Sequence, residues 1–170
     1  MKPIHESKIN KVIHDFLAEF PFFSDLSKDE LEIVGDHIDM YQFEPGEILF
    51  HEGDTAECIY FLIDGEMDVI KESVGGSRIG VNKVVISTVY KGSTIGEMSI
   101  LHNYLRSATV RSRTQAYVAA LTKASFDLIV AQHARIGIKI LMGLFHMLSR
   151  HLHKSTGRLA DFVLTTSETE

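Results

Sequence analysis

The stretch KGSTIGEMSILHNYLRSATV, residues 91–110, decides how the chain reads. Gly92 and Gly96 stand four apart, so the backbone there can turn tightly or approach a ligand. Glu97 follows the second glycine, and Arg106 stands ten positions after Gly96, followed by Ser107, Ala108 and Thr109. Between them Met98-Ser99-Ile100-Leu101 is long enough for one helical turn. The first N–H groups of such a turn lack intrahelical partners and carry partial positive charge, which suits an anion. Arg106 offers a planar fork that pairs two oxygens at once. Glu97 can only accept, and a sugar hydroxyl is a natural donor to it. The set describes a ligand with a phosphate on one side and a ribose hydroxyl on the other. A surface salt bridge between Glu97 and Arg106 would explain the same residues, and G-x-x-x-G-E alone has little specificity.

Composition limits the alternatives. The chain has 170 residues, 45% hydrophobic and 24% charged, as expected of one globular domain with a real core. It contains no apolar run of about 18 residues to cross a membrane, and its N-terminus has no apolar segment of the signal-peptide kind. A cytoplasmic protein with no membrane partner is expected. Cys58 is the single cysteine, so an internal disulfide is excluded. It begins the apolar run Cys58-Ile59-Tyr60-Phe61-Leu62-Ile63, which predicts a buried strand thiol rather than a nucleophile. The net charge of -6, with no block of Lys or Arg, argues against a nucleic-acid surface. None of the nine histidines stands three or four residues from another, so no helix aims two imidazoles at one metal ion. A metal-dependent enzyme of the cupin type needs histidines converging from strands, and only His51 falls in a predicted strand. Neither a metal nor an enzymatic activity is expected.

Taken in order, residues 7–20 place Ile9, Val12, Ile13, Phe16, Leu17 and Phe20 on one helical face, and Pro21 ends the helix. Ser27-Lys28-Asp29-Glu30 reads as a capping box that opens a second short helix through Leu31, Val34 and Ile38. From Met40 the period changes to that of strands, expected near 40–44, 47–51, 58–63, 66–72, 83–90, 107–113 and 115–121. Pro45-Gly46, Glu52-Gly53-Asp54, Asp64-Gly65 and Lys91-Gly92 mark turns, and Ser73 to Asn82 a hairpin tip. The pattern predicts a mainly β fold, an antiparallel jelly-roll barrel or sandwich. Helical periodicity returns at Ala124 to Gln132 and again from Ala134 to Val163. In the longer helix Ala134, Ile138, Leu141, Phe145, Leu148, Leu152, Ser155, Leu159 and Phe162 step by four and three, a seam that predicts pairing with a second copy. The alternative is that this seam lies on the chain's own barrel. Gly157 weakens the helix there by roughly 1 kcal/mol relative to alanine. The expected organisation is an N-terminal helical segment (1–38), a jelly-roll core (39–122), C-terminal helices including a dimerisation helix (123–163) and a disordered acidic tail (164–170).

The whole pattern resembles the cyclic nucleotide-binding domains, and among them the sensory half of the catabolite activator type. The resemblance runs from about Phe22 to Leu159. It rests on Phe22-Phe23-Ser24-Asp25-Leu26-Ser27, Pro45-Gly46-Glu47, Glu52-Gly53-Asp54 and the strand before Gly65. It rests above all on a likeness of Gly96-Glu97-Met98-Ser99-Ile100-Leu101 and Arg106-Ser107-Ala108-Thr109 to the phosphate-binding cassette. The resemblance implies that Glu97 accepts the ribose 2′-hydroxyl and that Arg106 pairs with the cyclic phosphate. It implies that Ser107 adds a hydroxyl, that the N–H of Met98 or Ser99 meets the phosphate, and that Gly96 permits close approach near the sugar. Ser155-Thr156 resemble the hydroxyl pair that contacts adenine, one from each subunit, which favours cyclic AMP over cyclic GMP. Leu105 and Ile95 stand where many cassettes have proline and phenylalanine. The family's helix-turn-helix does not follow the long helix here, so a stand-alone sensor or a fragment is expected. The function implied is a non-enzymatic cyclic AMP sensor that signals through cassette and helix to an unidentified downstream protein. A cyclic GMP sensor and a nucleotide-independent dimeric module with a relic pocket are the alternatives.

Overall fold

Between Ile38 and Thr122 the apolar runs become strands, several of them separated by tight turns at Gly46, Gly53 and Gly92. The computed structural model describes residues 2–3, 16–73, 82–97 and 105–167, and only the backbone of residues 73, 82, 154 and 158–167. Most of the predicted N-terminal helix and hairpin tip lies outside the described residues; residues 16–18 are helical. Among the described residues the strands are β1 (Lys2–Pro3), β2 (Ile38–Phe43), β3 (Ile48–Phe50), β4 (Cys58–Asp64), β5 (Glu66–Ser73), β6 (Asn82–Tyr90), β7 (Thr94–Ile95), β8 (Thr109–Ser112) and β9 (Ala116–Thr122). The helices are α1 (Lys28–Gly35), α2 (Lys123–Gln132) and α3 (Ala134–Ser167), with a 3-10 turn at Pro21–Phe23. α3 thus runs past the predicted end at Val163.

The strands form two antiparallel sheets, ordered β1-β2-β9-β4-β7 and β3-β8-β5-β6. They pack over a shared core of Phe43, Leu62, Met67, Ile95, Val110, Ala116 and Val118. The fold is an open sandwich, not the closed barrel that the jelly-roll reading allowed. A barrel needs one continuous ladder, and here each sheet keeps its own edges among the described residues.

β4 explains why its sequence is apolar without alternation. Ile59, Phe61 and Ile63 face a second core, with the helices, while Leu62 and the partly buried Tyr60 face the sandwich. A strand covered on both faces reads as a continuous apolar run. Its partner β9 divides the same way, with Ala119 and Leu121 toward the helices and Ala116 and Val118 toward the sandwich. Ala119 lies opposite Phe61, so a small residue makes room beside a large ring.

The helices close the second core. The capping box of α1 is formed: Glu30 N–H donates to Ser27 Oγ at 3.4 Å, and Ser27 N–H donates to Glu30 Oε2 at 2.8 Å. α1 stops at Gly35, and Ile38, expected at its end, begins β2 instead. The reason is local, since His37 N–H donates back to Val34 O and closes a tight turn. Lys139 of α3 reaches Glu30 at 2.6 Å and holds its carboxyl below the usual range, tying the two helices together.

α3 packs on the domain through Ile136, Ile140, Leu144 and Met147, all buried. A Cβ on Gly143 would lie 2.0 Å from Phe22 O, so only glycine lets the helix sit this close to the 3-10 turn. The predicted seam is a different face. Leu148 packs partly against the helix-side core, but Ile138, Leu141, Phe145 and Leu152 are exposed, Phe145 at 64% and Leu152 at 69%. Most of the seam is therefore not spent on the chain's own sheets.

Candidate functional site

Turn chemistry places the site. Asp54 Oδ2 accepts from His51 N–H at 2.8 Å and shapes the Glu52-Gly53-Asp54 turn. That turn grips residue 106 by two backbone bonds of 2.9 Å, Gly53 N–H to Arg106 O and Arg106 N–H to Asp54 O. Lys71 of β5 donates to Glu52 Oε1 and, at 2.7 Å, to Ser107 O. Glu52 N–H donates to the buried Thr109 Oγ1 at 2.9 Å. These bonds hold the backbone of Arg106, the carbonyl of Ser107 and the side chain of Thr109 in place.

Arg106 is 6% exposed, which excludes the simple surface salt bridge. Its Nη2 donates to Cys58 O at 2.8 Å and its Nη1 to Gly96 O at 3.3 Å. The guanidinium carbon lies 4.1 Å from the centre of the Phe50 ring and 5.5 Å from that of Tyr60, a geometry in which the ring faces attract the cation. Burial lowers the Arg106 pKa, yet a guanidinium stays charged at any working pH. Burial also pushes the Tyr60 hydroxyl up to about 12 and raises the neighbouring Cys58 thiol. Both remain neutral near pH 7, so neither adds a negative charge beside Arg106. Gly96 has φ +75°, and a Cβ there would lie within 2.1 Å of Arg106 Nη1. This glycine thus permits the close approach of the arginine.

Arg106, Gly96, Glu97 and Ser107 line one cavity of about 400 Å³ between the sheets. That volume suits a small organic ligand. The rest of the wall is largely apolar, with Phe50, Val69, Val89 and Leu105 among its members. Glu97 pairs with His151 of α3, Oε1 to Nδ1, at 3.4 Å. Four of the predicted site residues are thus brought together. Met98 and Ser99 lie outside the described residues. Ser155 and Thr156 are exposed on α3 and do not line the cavity; Thr156 Oγ1 donates to Leu152 O at 2.9 Å. Sequence reasoning missed Phe50, Tyr60 and His151. The first two sit one above the other only after β3 and β4 are folded into different sheets. Among the described residues no group of three or more His, Cys, Asp or Glu side chains could hold a metal ion.

The sequence profile of the cyclic nucleotide-binding domain matches residues 41–133, more than half of the chain and all of the cavity wall. The chain belongs to the cyclic nucleotide-binding domain family. It is 30% identical over 111 residues to a cAMP-dependent protein kinase regulatory subunit of Schizosaccharomyces pombe, a match covering 65% of this chain and 25% of that protein. The chain spans about a quarter of the length of the curated relatives it matches. A cyclic nucleotide-binding domain from Methylobacillus flagellatus superposes with a TM-score of 0.75 at 25% identity, covering 90% of this chain and 83% of that one. The catabolite activator protein of Thermus thermophilus shares the fold, with a TM-score of 0.69 at 20% identity over 82% of this chain and 62% of that one. In this cyclic nucleotide-binding domain, then, the cavity lies within the family's matched residues, while α3 and His151 lie beyond them. No helix among the described residues is long and apolar enough to cross a membrane.

Proposed function

We propose that the chain is a non-catalytic, cytoplasmic cyclic AMP sensor. The observation that carries this reading is that a buried Arg106, held by two carbonyls, and Glu97 both line one largely apolar cavity. The cyclic phosphate would take Arg106, the Ser107 hydroxyl and the N–H of Met98 or Ser99. The ribose 2′-hydroxyl would donate to Glu97, and the base would rest on the apolar wall. Ser155 and Thr156 are exposed on α3, so they would read the base only if that helix shifts or a partner copy supplies them. The naming of relatives as cAMP-dependent kinase regulatory subunits supports cyclic AMP over cyclic GMP. It also makes a protein kinase the first class of downstream partner to test; no nucleic acid or membrane enters this reading.

Calorimetry tests the reading. Cyclic AMP should bind at micromolar concentration or tighter, and Arg106→Ala should weaken it at least about 100-fold, the loss of two charge-assisted bonds. No heat with either cyclic AMP or cyclic GMP would overturn it.

The exposed stripe Ile138, Leu141, Phe145 and Leu152 supports a homodimer through α3. Leu152→Glu is the cleaner probe than Leu148→Glu, because Leu148 also packs against the helix-side core. It should convert a dimer to monomer in sedimentation velocity, while a monomeric wild type at tens of micromolar would sink the dimer. A stable dimer that ignores both nucleotides would favour the interaction module with a relic pocket.

A further inference from the structure

Both charged groups of the cavity already have partners inside the protein. Arg106 gives Nη1 and Nη2 to the carbonyls of Gly96 and Cys58, which belong to the fixed wall. Glu97 is different. Its partner, His151, comes from α3, outside the family's matched residues and outside the cavity lining. The last side chain that anchors α3 in the helix-side core with full burial is Met147, one helical turn before His151. From Ser149 to His153 every residue is exposed. The contact therefore joins an outlying turn of α3 to the half-buried carboxylate, with side chains 52% and 17% exposed respectively.

We propose that His151 is an internal competitor for the Glu97 carboxylate at the ribose end of the site. It holds Glu97 while the cavity is empty, competes with the ribose 2′-hydroxyl for that carboxylate, and leaves when nucleotide binds. Displacing it releases the outlying turn of α3, which carries Leu152, Ser155 and Thr156, from its contact with Glu97. The inference rests on the cyclic-nucleotide reading and assigns that reading a route by which an occupied cavity is felt on the helix. It also makes His151 a determinant of specificity, because only a ligand that needs Glu97 has to dislodge it. A half-exposed pair of this kind is weak, so the competition is modest and readily reversed.

The test is calorimetry of the full chain, wild type and His151→Ala, with cyclic AMP and with 2′-deoxy cyclic AMP. Loss of the competitor should tighten cyclic AMP about threefold, the scale of such a pair. The 2′-deoxy ligand makes no demand on Glu97, so its affinity should not change. In wild-type protein the ring resonances of His151 should shift on saturation with cyclic AMP and not with the 2′-deoxy ligand. Equal affinities for wild type and variant, or weaker binding by the variant, would overturn the proposal; weaker binding would make His151 a co-ligand. Absence of binding by both proteins would remove the cyclic-nucleotide reading itself and the proposal with it.

Discussion

The two faces of the first sheet carry opposite kinds of core. On the helix side Phe20, Phe22, Phe23 and Phe61 are buried, with ring centroids 4.9–5.3 Å apart and mostly edge-to-face. On the sandwich side the wall leaves a cavity of about 400 Å³ and buries a guanidinium beside it. Rings there, Phe50 and Tyr60, stack with each other and face a cation rather than interlocking with more rings. A domain must recover stability on one face if the other keeps a hole and a desolvated charge. The helix-side core is what makes the open side affordable. Phe61→Ala should therefore cost about 3–5 kcal/mol in chemical denaturation, the range for a large buried ring. A loss under about 1 kcal/mol would show that the helix side is not the stabilising half.

The two close-packed glycines separate the faces more sharply. Gly143→Ala would drive a methyl against the Phe22 backbone, which cannot move aside as a side chain can. It should destabilise by about 2–3 kcal/mol through overpacking and leave nucleotide affinity within about twofold. Gly96→Ala would meet the end of Arg106 in a left-handed backbone position. Strain there is about 1 kcal/mol, but displacing the guanidinium should weaken cyclic AMP at least about tenfold in calorimetry. A reversal, with Gly143→Ala losing affinity and Gly96→Ala losing only stability, would break the assignment of stability to one face and binding to the other.

How much of this the chain announces depends on how local each cause is. The capping box at Ser27 and Glu30 and the turn at Asp64-Gly65 act within four residues, and both form where the residues say they should. The strands of the sandwich follow from apolar runs between such turns. β7 was invisible because two residues, Thr94 and Ile95, become a strand only by pairing with Tyr60 and Phe61. On α3 two apolar stripes share one helix. Periodicity found the stripe that steps evenly by three and four, but nothing local says that Ile136, Ile140, Leu144 and Met147 are the ones that meet the core. In the site, chemistry and spacing singled out Glu97 and Arg106, and both line the cavity. The partners that hold them were not: Phe50, Cys58 O and His151 lie far along the chain and arrive through the fold.

The smallest effect is the most discriminating. Phe50→Leu keeps an apolar side chain on the cavity wall and removes the ring that lies 4.1 Å under the guanidinium carbon of Arg106 and stacks on Tyr60. Such an attraction is worth about 0.5–1 kcal/mol when partly exposed and about 2 when desolvated. The guanidinium here is buried and also held by two carbonyls, so the ring's share lies near the middle of that range. Cyclic AMP should weaken about fivefold in calorimetry, with a stability change under about 1.5 kcal/mol, because Phe50 is only partly buried and another apolar side chain replaces it. Phe61→Leu, on the helix side, should do the reverse: it gives up ring-on-ring contacts and lowers stability, while the affinity holds. If Phe50→Leu leaves affinity untouched and costs only stability, the aromatic rings on the two faces do the same job, and the contrast between a sealed face and a working one fails at the residue where it is most finely drawn.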